Sequence, residues 1–99
     1  AALAYGCSGA VASCANVAPR VVADIYDKYV AGDLAGSLEA QYRLAPLRIA
    51  TNMGTFPEVI KESLNLLGIP VGKCLDPIQE LKPEEKEKLR QVLVDMKLI

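Results

Sequence analysis

The chain has 99 residues, 52% of them hydrophobic and 23% charged, with a net charge of −1 and no histidine. That balance excludes a disordered chain and offers no basic surface for nucleic acid; a packed core is expected. No apolar run approaches the ~20 residues that span a bilayer and no charged-then-apolar leader opens these residues, so neither a membrane nor a nucleic acid is an expected partner.

Ala1–Tyr5 reads as the last turns of a helix, with Gly6 as its stop. The first residue is not Met, and the chain is expected to be the C-terminal part of a larger protein. Gly9 breaks any preceding helix. Ala10 to Cys14 then carry no charge and no alternation, the pattern of a short strand buried on both faces in a parallel sheet. Asn16 offers an N-cap and Pro19 fits a first turn, which predicts a helix over Val17–Val30. A strand running into a helix is one half of a parallel β/α unit, and folds of that kind place ligands at the carboxyl ends of strands. No second strand is evident to satisfy its backbone groups, a further sign that more of the protein belongs with it.

In this first helix Val17, Val21, Val22, Ile25 and Tyr29 form one stripe, and Arg20, Asp24, Asp27 and Lys28 the wet face, with Arg20–Asp24 and Asp24–Lys28 spaced to pair. Gly32 ends it and Asp33 caps the next, Leu34 to Thr51. That helix has two apolar sides. Leu34, Leu38, Tyr42, Ala45 and Ile49 form one, and Ala40, Leu44 and Leu47 the other, which predicts burial against two neighbours; Tyr26 and Tyr42 are expected in the core with their hydroxyls at its rim. Pro46 removes one helical hydrogen bond and is expected to bend the axis near Tyr42.

Thr55-Phe56-Pro57-Glu58 has the form of a capping box for a third helix to Leu67, burying Val59, Ile60, Leu64 and Leu67 before Gly68 stops it. Ile69–Leu81 has no period and reads as an extended surface connection. Pro83 opens a last helix with Leu89, Val92, Leu93 and Met96 beneath a charged coat. Cys7, Cys14 and Cys74 are odd in number, lack C-x-x-C spacing and have no histidine to help hold zinc. Reduced, structural thiols in a cytoplasmic protein are expected.

Four segments now stand in order: G-A-V-A-S-C-A-N-V-A-P-R, A-G-D-L with Y-R-L-A-P-L-R, F-P-E-V-I-K-E-S-L-N-L-L-G-I-P-V-G, and L-K-P-E-E-K-E-K-L-R. Together they resemble the C-terminal third of the dihydrodipicolinate synthase and N-acetylneuraminate lyase family. The resemblance implies an α/β fold: a C-terminal fragment of a (β/α)8 TIM barrel plus a three-helix C-terminal extension, this chain by itself being mostly α. Residues 1–31 would be the end of the barrel (tail of helix 7, strand 8, helix 8) and 32–99 the helical extension.

The resemblance implies the chemistry as well. Family members form a Schiff base between a lysine on the sixth strand and pyruvate or another 2-keto acid, aided by a tyrosine on an earlier strand. The imine is a better electron sink than the ketone, so the neighbouring carbon can attack an aldehyde, or release one in reverse. Such a lysine needs its pKa lowered by burial or nearby cations. Lys28, Lys61, Lys73, Lys82, Lys86, Lys88 and Lys97 all read as surface groups, so no catalytic residue is expected among these 99 and the chain alone is expected to be inactive.

What carries over is local. The third residue of the family's eighth-strand motif, whose backbone lies near bound pyruvate, is Val11 here. The serine with which the neuraminate lyase branch contacts substrate hydroxyls falls at Ser13. A valine is more typical of the synthases at that position, so Ser13 points toward a hydroxylated 2-keto-3-deoxy acid, against the plainer reading of a small packed residue. Expected partners are thus pyruvate or another 2-keto acid, the remainder of the barrel, and further copies in a dimer or tetramer; no metal or diffusible cofactor is implied. A reading of another class, a free-standing helical interaction module, would leave Ala10–Cys14 as an uncovered edge and predicts poor solubility.

Overall fold

A computed structural model describes residues 1–99. Four helices form: α1 (Pro19–Val30), α2 (Leu34–Ala50), α3 (Glu58–Leu66) and α4 (Pro83–Asp95), preceded by 3-10 turns at Leu3–Tyr5 and Ser13–Asn16. The chain divides into two compact units, Ala1–Leu44 and Ala45–Ile99.

The first unit corrects the strand. Residues 7–12 have no regular secondary structure, and the chain turns at Ser13–Asn16 instead of pairing. The physical cause is the one the sequence warned of: an extended segment needs a neighbour for its N–H and C=O groups, and these 99 residues contain no other strand. Asn16 does not cap α1 either. Its side chain folds back to donate to the Ser13 carbonyl (3.1 Å), and α1 begins at Pro19 behind Ala18, whose carbonyl accepts from Val22 N–H. Proline at that first position lacks an N–H that would have had no partner anyway.

The stripe of α1 holds. Val17 and Val21 are buried and Val22, Ile25 and Tyr29 half-buried. Neither Arg20–Asp24 nor Asp24–Lys28 closes to an ion pair; the ion pairs of the chain lie at Lys73–Glu80, Lys86–Glu62 and Lys86–Glu80. Gly32 stops α1 in the left-handed region (φ 83°), and Asp33 caps α2 as expected, its Oδ1 accepting from Gly36 N–H at 2.9 Å. Ser37 then donates its hydroxyl to the Ile25 carbonyl (2.7 Å), tying α2 to α1.

Only one apolar side of α2 is covered. Ala40, Leu44, Leu47 and Ala50 are buried, but Leu34, Leu38, Tyr42 and Ile49 are exposed, and so is Tyr26. The expected second neighbour is absent from this chain, and neither tyrosine is a core residue. The helix continues through Pro46.

In the second unit α3 packs on α4. Ala50, Val59, Leu81 and Leu89 form the centre of its core, with Met53, Leu66 and Val92 against it. Two sequence expectations fail here. The Thr55–Glu58 capping box does not form, because the Glu58 side chain points inward, 3% exposed, and cannot reach back. The box forms at α4 instead, where Glu85 Oε2 accepts from Lys82 N–H at 2.9 Å.

The connection 69–81 is also less superficial than its lack of period implied: Leu81 is buried in the core. Gly54 makes room for it. Its φ of 59° suits glycine, and a Cβ there would come within 2.7 Å of Leu81 Cδ2. Asn65 clasps the start of the connection, accepting from Val71 N–H (3.1 Å) and donating to the Gly72 carbonyl (3.2 Å). Lys61 donates to the Lys73 carbonyl at 2.7 Å.

Candidate functional site

The residues that the sequence marks as a site lie before and within the Ser13–Asn16 turn. Ala12 is extended (φ −137°, ψ 115°), so side chains alternate through it. Ala10 and Ala12 line a half-open groove of about 660 Å3 together with Leu3, Val22, Ile25 and Tyr29, whereas Val11 and Ser13 do not. Val11 is fully exposed despite being apolar. Ser13 is half-buried, and no hydrogen bond within the chain engages its hydroxyl.

The turn is rigidly based. Cys14 is buried, and its carbonyl accepts from Val17 N–H (3.1 Å) and Ala18 N–H (2.9 Å), so the segment carrying Ser13 runs directly into α1. Val11 and Ser13 thereby precede the N-terminal end of α1 and are not among the residues lining the groove. The sequence marks these two but not the groove, because small Ala10 and Ala12 carry no signal of their own.

No lysine is buried: Lys28, Lys61 and Lys86 are half-exposed, and Lys73, Lys82, Lys88 and Lys97 exposed. Burial works to lower the Lys86 ammonium, but Glu62 and Glu80 outweigh it and hold the group above its ordinary value. That direction is opposite to what imine formation needs. Glu80 in turn is held below the usual carboxylate range, by Lys73 first and Lys86 second. Lys73–Glu80 lies within the connection, Lys86–Glu80 joins it to α4, and Lys86–Glu62 joins α4 to α3.

One polar group stands out away from the turn. No hydrogen-bond donor reaches the buried Glu58 Oε2. Beside it, desolvation first and the Glu58 carboxylate second push the Cys74 thiol up, with Lys61 working the other way. Cys74 is therefore a thiol at neutral pH, which makes it a poor nucleophile.

Comparison with known proteins bears on the whole chain. Residues 1–96 match the model of the dihydrodipicolinate synthetase family. A curated 4-hydroxy-tetrahydrodipicolinate synthase of Methanoculleus marisnigri is 39% identical over 93 residues, covering 94% of this chain and 32% of the relative. The enzyme of that name from Archaeoglobus fulgidus is 34% identical over 97 residues, covering 98% and 34%. Among solved structures, a prophage protein of the dihydrodipicolinic acid synthase family from E. coli K12, in complex with pyruvate, superimposes with a TM-score of 0.88 at 30% identity, over 98% of this chain and 33% of that one. The chain spans about a third of the length of the relatives it matches.

Proposed function

Because the chain belongs to the dihydrodipicolinate synthetase family, we propose that it is the C-terminal part of a pyruvate-dependent Schiff-base lyase or synthase, the closing β/α unit of a (β/α)8 barrel with its helical extension. The match over residues 1–96, which takes in all four helices, carries this reading. Residues 1–31 would then close the barrel. The uncovered apolar Val11 and the half-open groove lined by Ala10 and Ala12 support it, since both are surfaces that the rest of a barrel would cover.

In this reading a lysine outside these 99 residues condenses with the pyruvate ketone, losing water to give the imine, and the imine accepts the electron pair when the adjacent carbon is deprotonated. The chain's own contribution is the Val11 backbone beside pyruvate and the Ser13 hydroxyl beside the second substrate. The enzyme would act in the cytoplasm, where its three free thiols stay reduced, and as a homo-oligomer.

Borohydride trapping tests the central claim. The polypeptide that contains these residues, treated with pyruvate and borohydride, is expected to gain the mass of one reduced pyruvate on a lysine outside the present chain. No adduct, or an adduct on one of the seven lysines here, would refute the assignment.

The synthase names of the curated relatives favour condensation with an aldehyde. The free Ser13 hydroxyl favours a second reading, an N-acetylneuraminate lyase or a 2-keto-3-deoxy sugar-acid aldolase of the same family. Ser13→Val separates the two. A lost hydrogen bond of about 1–1.5 kcal/mol lowers kcat/KM for hydroxylated substrates about tenfold and leaves unhydroxylated aldehydes unaffected. Equal kcat/KM for every hydroxylated 2-keto acid would remove Ser13 from the site.

A further inference from the structure

A side-chain bond spans the Ser13–Asn16 turn and ends on the candidate site. Asn16 Nδ2 donates to the Ser13 carbonyl at 3.1 Å. Asn16 is exposed, so its side chain fills no space in the core. It does not cap α1 either, because that helix begins at Pro19 behind Ala18. The carboxamide serves the turn.

The direction in which a serine side chain leaves the backbone is set by the two peptide planes that flank its Cα, since these fix its φ and ψ. Both planes are tied here. The Ala12 carbonyl, in the plane before Ser13, accepts from Ala15 N–H at 3.0 Å, and the Ser13 carbonyl, in the plane after it, accepts from Asn16. Cys14 follows directly, buried, with its carbonyl held by Val17 and Ala18 N–H. On this frame the Ser13 hydroxyl is engaged by no hydrogen bond within the chain. A free hydroxyl on a fixed backbone has only its side-chain torsions left to adjust to a ligand.

We propose that Asn16 is a positioning residue for Ser13: its carboxamide fixes the Ser13 peptide so that the hydroxyl is already aimed when a hydroxylated substrate arrives. This rests on the reading of Ser13 as a substrate contact and adds the group that orders it. Ordering a residue before binding removes that entropy cost from the encounter, so the Asn16 bond is felt in kcat/KM for substrates that use the hydroxyl and not for those that do not.

Steady-state kinetics of the complete polypeptide test this, with pyruvate and a matched pair of aldehydes, one polyhydroxylated and one of the same chain length without hydroxyls. Asn16→Ala removes the donor at an exposed position. It is expected to lower kcat/KM for the hydroxylated aldehyde relative to the plain one about three- to fivefold, less than Ser13→Val does, because the hydroxyl is loosened and not removed. Asn16→Ser, whose hydroxyl can reach a carbonyl three residues back, restores the ratio. In a Ser13→Val background Asn16→Ala lowers the ratio no further. A ratio unchanged by Asn16→Ala, or lowered again by the same factor in the Ser13→Val background, overturns the positioning role while leaving Ser13 in the site. A ratio that Ser13→Val itself does not change removes Ser13 from the site and the role of Asn16 with it, yet leaves borohydride trapping to judge the Schiff-base reading.

Discussion

Leu89→Ala is expected to cost about 2–5 kcal/mol, among the largest effects of single changes in the second unit. Leu89 is fully buried on α4, in the centre of the cluster with Ala50, Val59 and Leu81. Those neighbours come from α2, α3 and the connection, so truncation empties a space that three separate segments define and no one of them can fill. Small domains are stable by only about 5–15 kcal/mol, and a loss of this size is a large part of the total. Urea unfolding followed by helical circular dichroism reads it as a lowered midpoint. Val94→Ala is the control on the same helix: that residue is exposed, and its truncation is expected to cost no more than about 0.5 kcal/mol. Equal midpoints for the two variants would show that α4 does not pack as described.

Glu58→Leu is expected to act in the opposite direction, stabilising the protein by about 1–2 kcal/mol. A buried polar atom without a partner costs about 1–3 kcal/mol, and Glu58 Oε2 is such an atom. Opposing the gain, a carboxylate in the first turn of α3 benefits from the helix dipole by about 0.3–1 kcal/mol. The desolvation term is the larger. The same substitution removes the second of the influences that raise the Cys74 thiol, so alkylation of Cys74 at fixed pH is expected to quicken in a Cys7→Ser background. A lowered unfolding midpoint would mean that the carboxylate has a role that outweighs its desolvation.

Both expectations rest on side chains that the sequence half revealed. Leu89 was legible because α4 alternates a narrow apolar stripe with an unbroken charged coat, and only one rotation of the helix satisfies that pattern. Glu58 was misread for the opposite reason. Thr-x-x-Glu is a local signature, whereas the direction in which the glutamate points is decided by the core around Val59 and Ile60. Leu81 was missed because a lone apolar residue outside any period carries no signal until Gly54 is seen to leave space for it.

The failed strand and the uncovered side of α2 share another cause. Ala10–Cys14 and the Leu34–Leu38–Tyr42 ridge were each expected to be buried, and composition justified the expectation; what covers them cannot be found within these 99 residues. Periodicity reports that a surface wants a neighbour and not which neighbour it gets. Of the candidate site, Val11 and Ser13 emerged only through the family resemblance. What the structure adds is their separation from the groove and the unengaged hydroxyl.

The connection between α3 and α4 is secured at its two ends and free in the middle. Asn65 holds Val71 and Gly72, and Leu81 is sunk in the core, while Leu75, Asp76 and Pro77 lie exposed. Residues grafted at 75–77 would forfeit the exposed Lys73–Glu80 pair and the local bonds of Ile78 N–H to the Leu75 carbonyl and of the Gln79 amide to the Pro77 carbonyl, and each doubling of a loop's length costs only about 0.6 kcal/mol. One residue inserted next to Leu81 would instead pull that side chain out of register with Gly54. A reporter peptide or an evolutionary insertion therefore has one natural port of entry in this unit, at the Asp76-Pro77 turn.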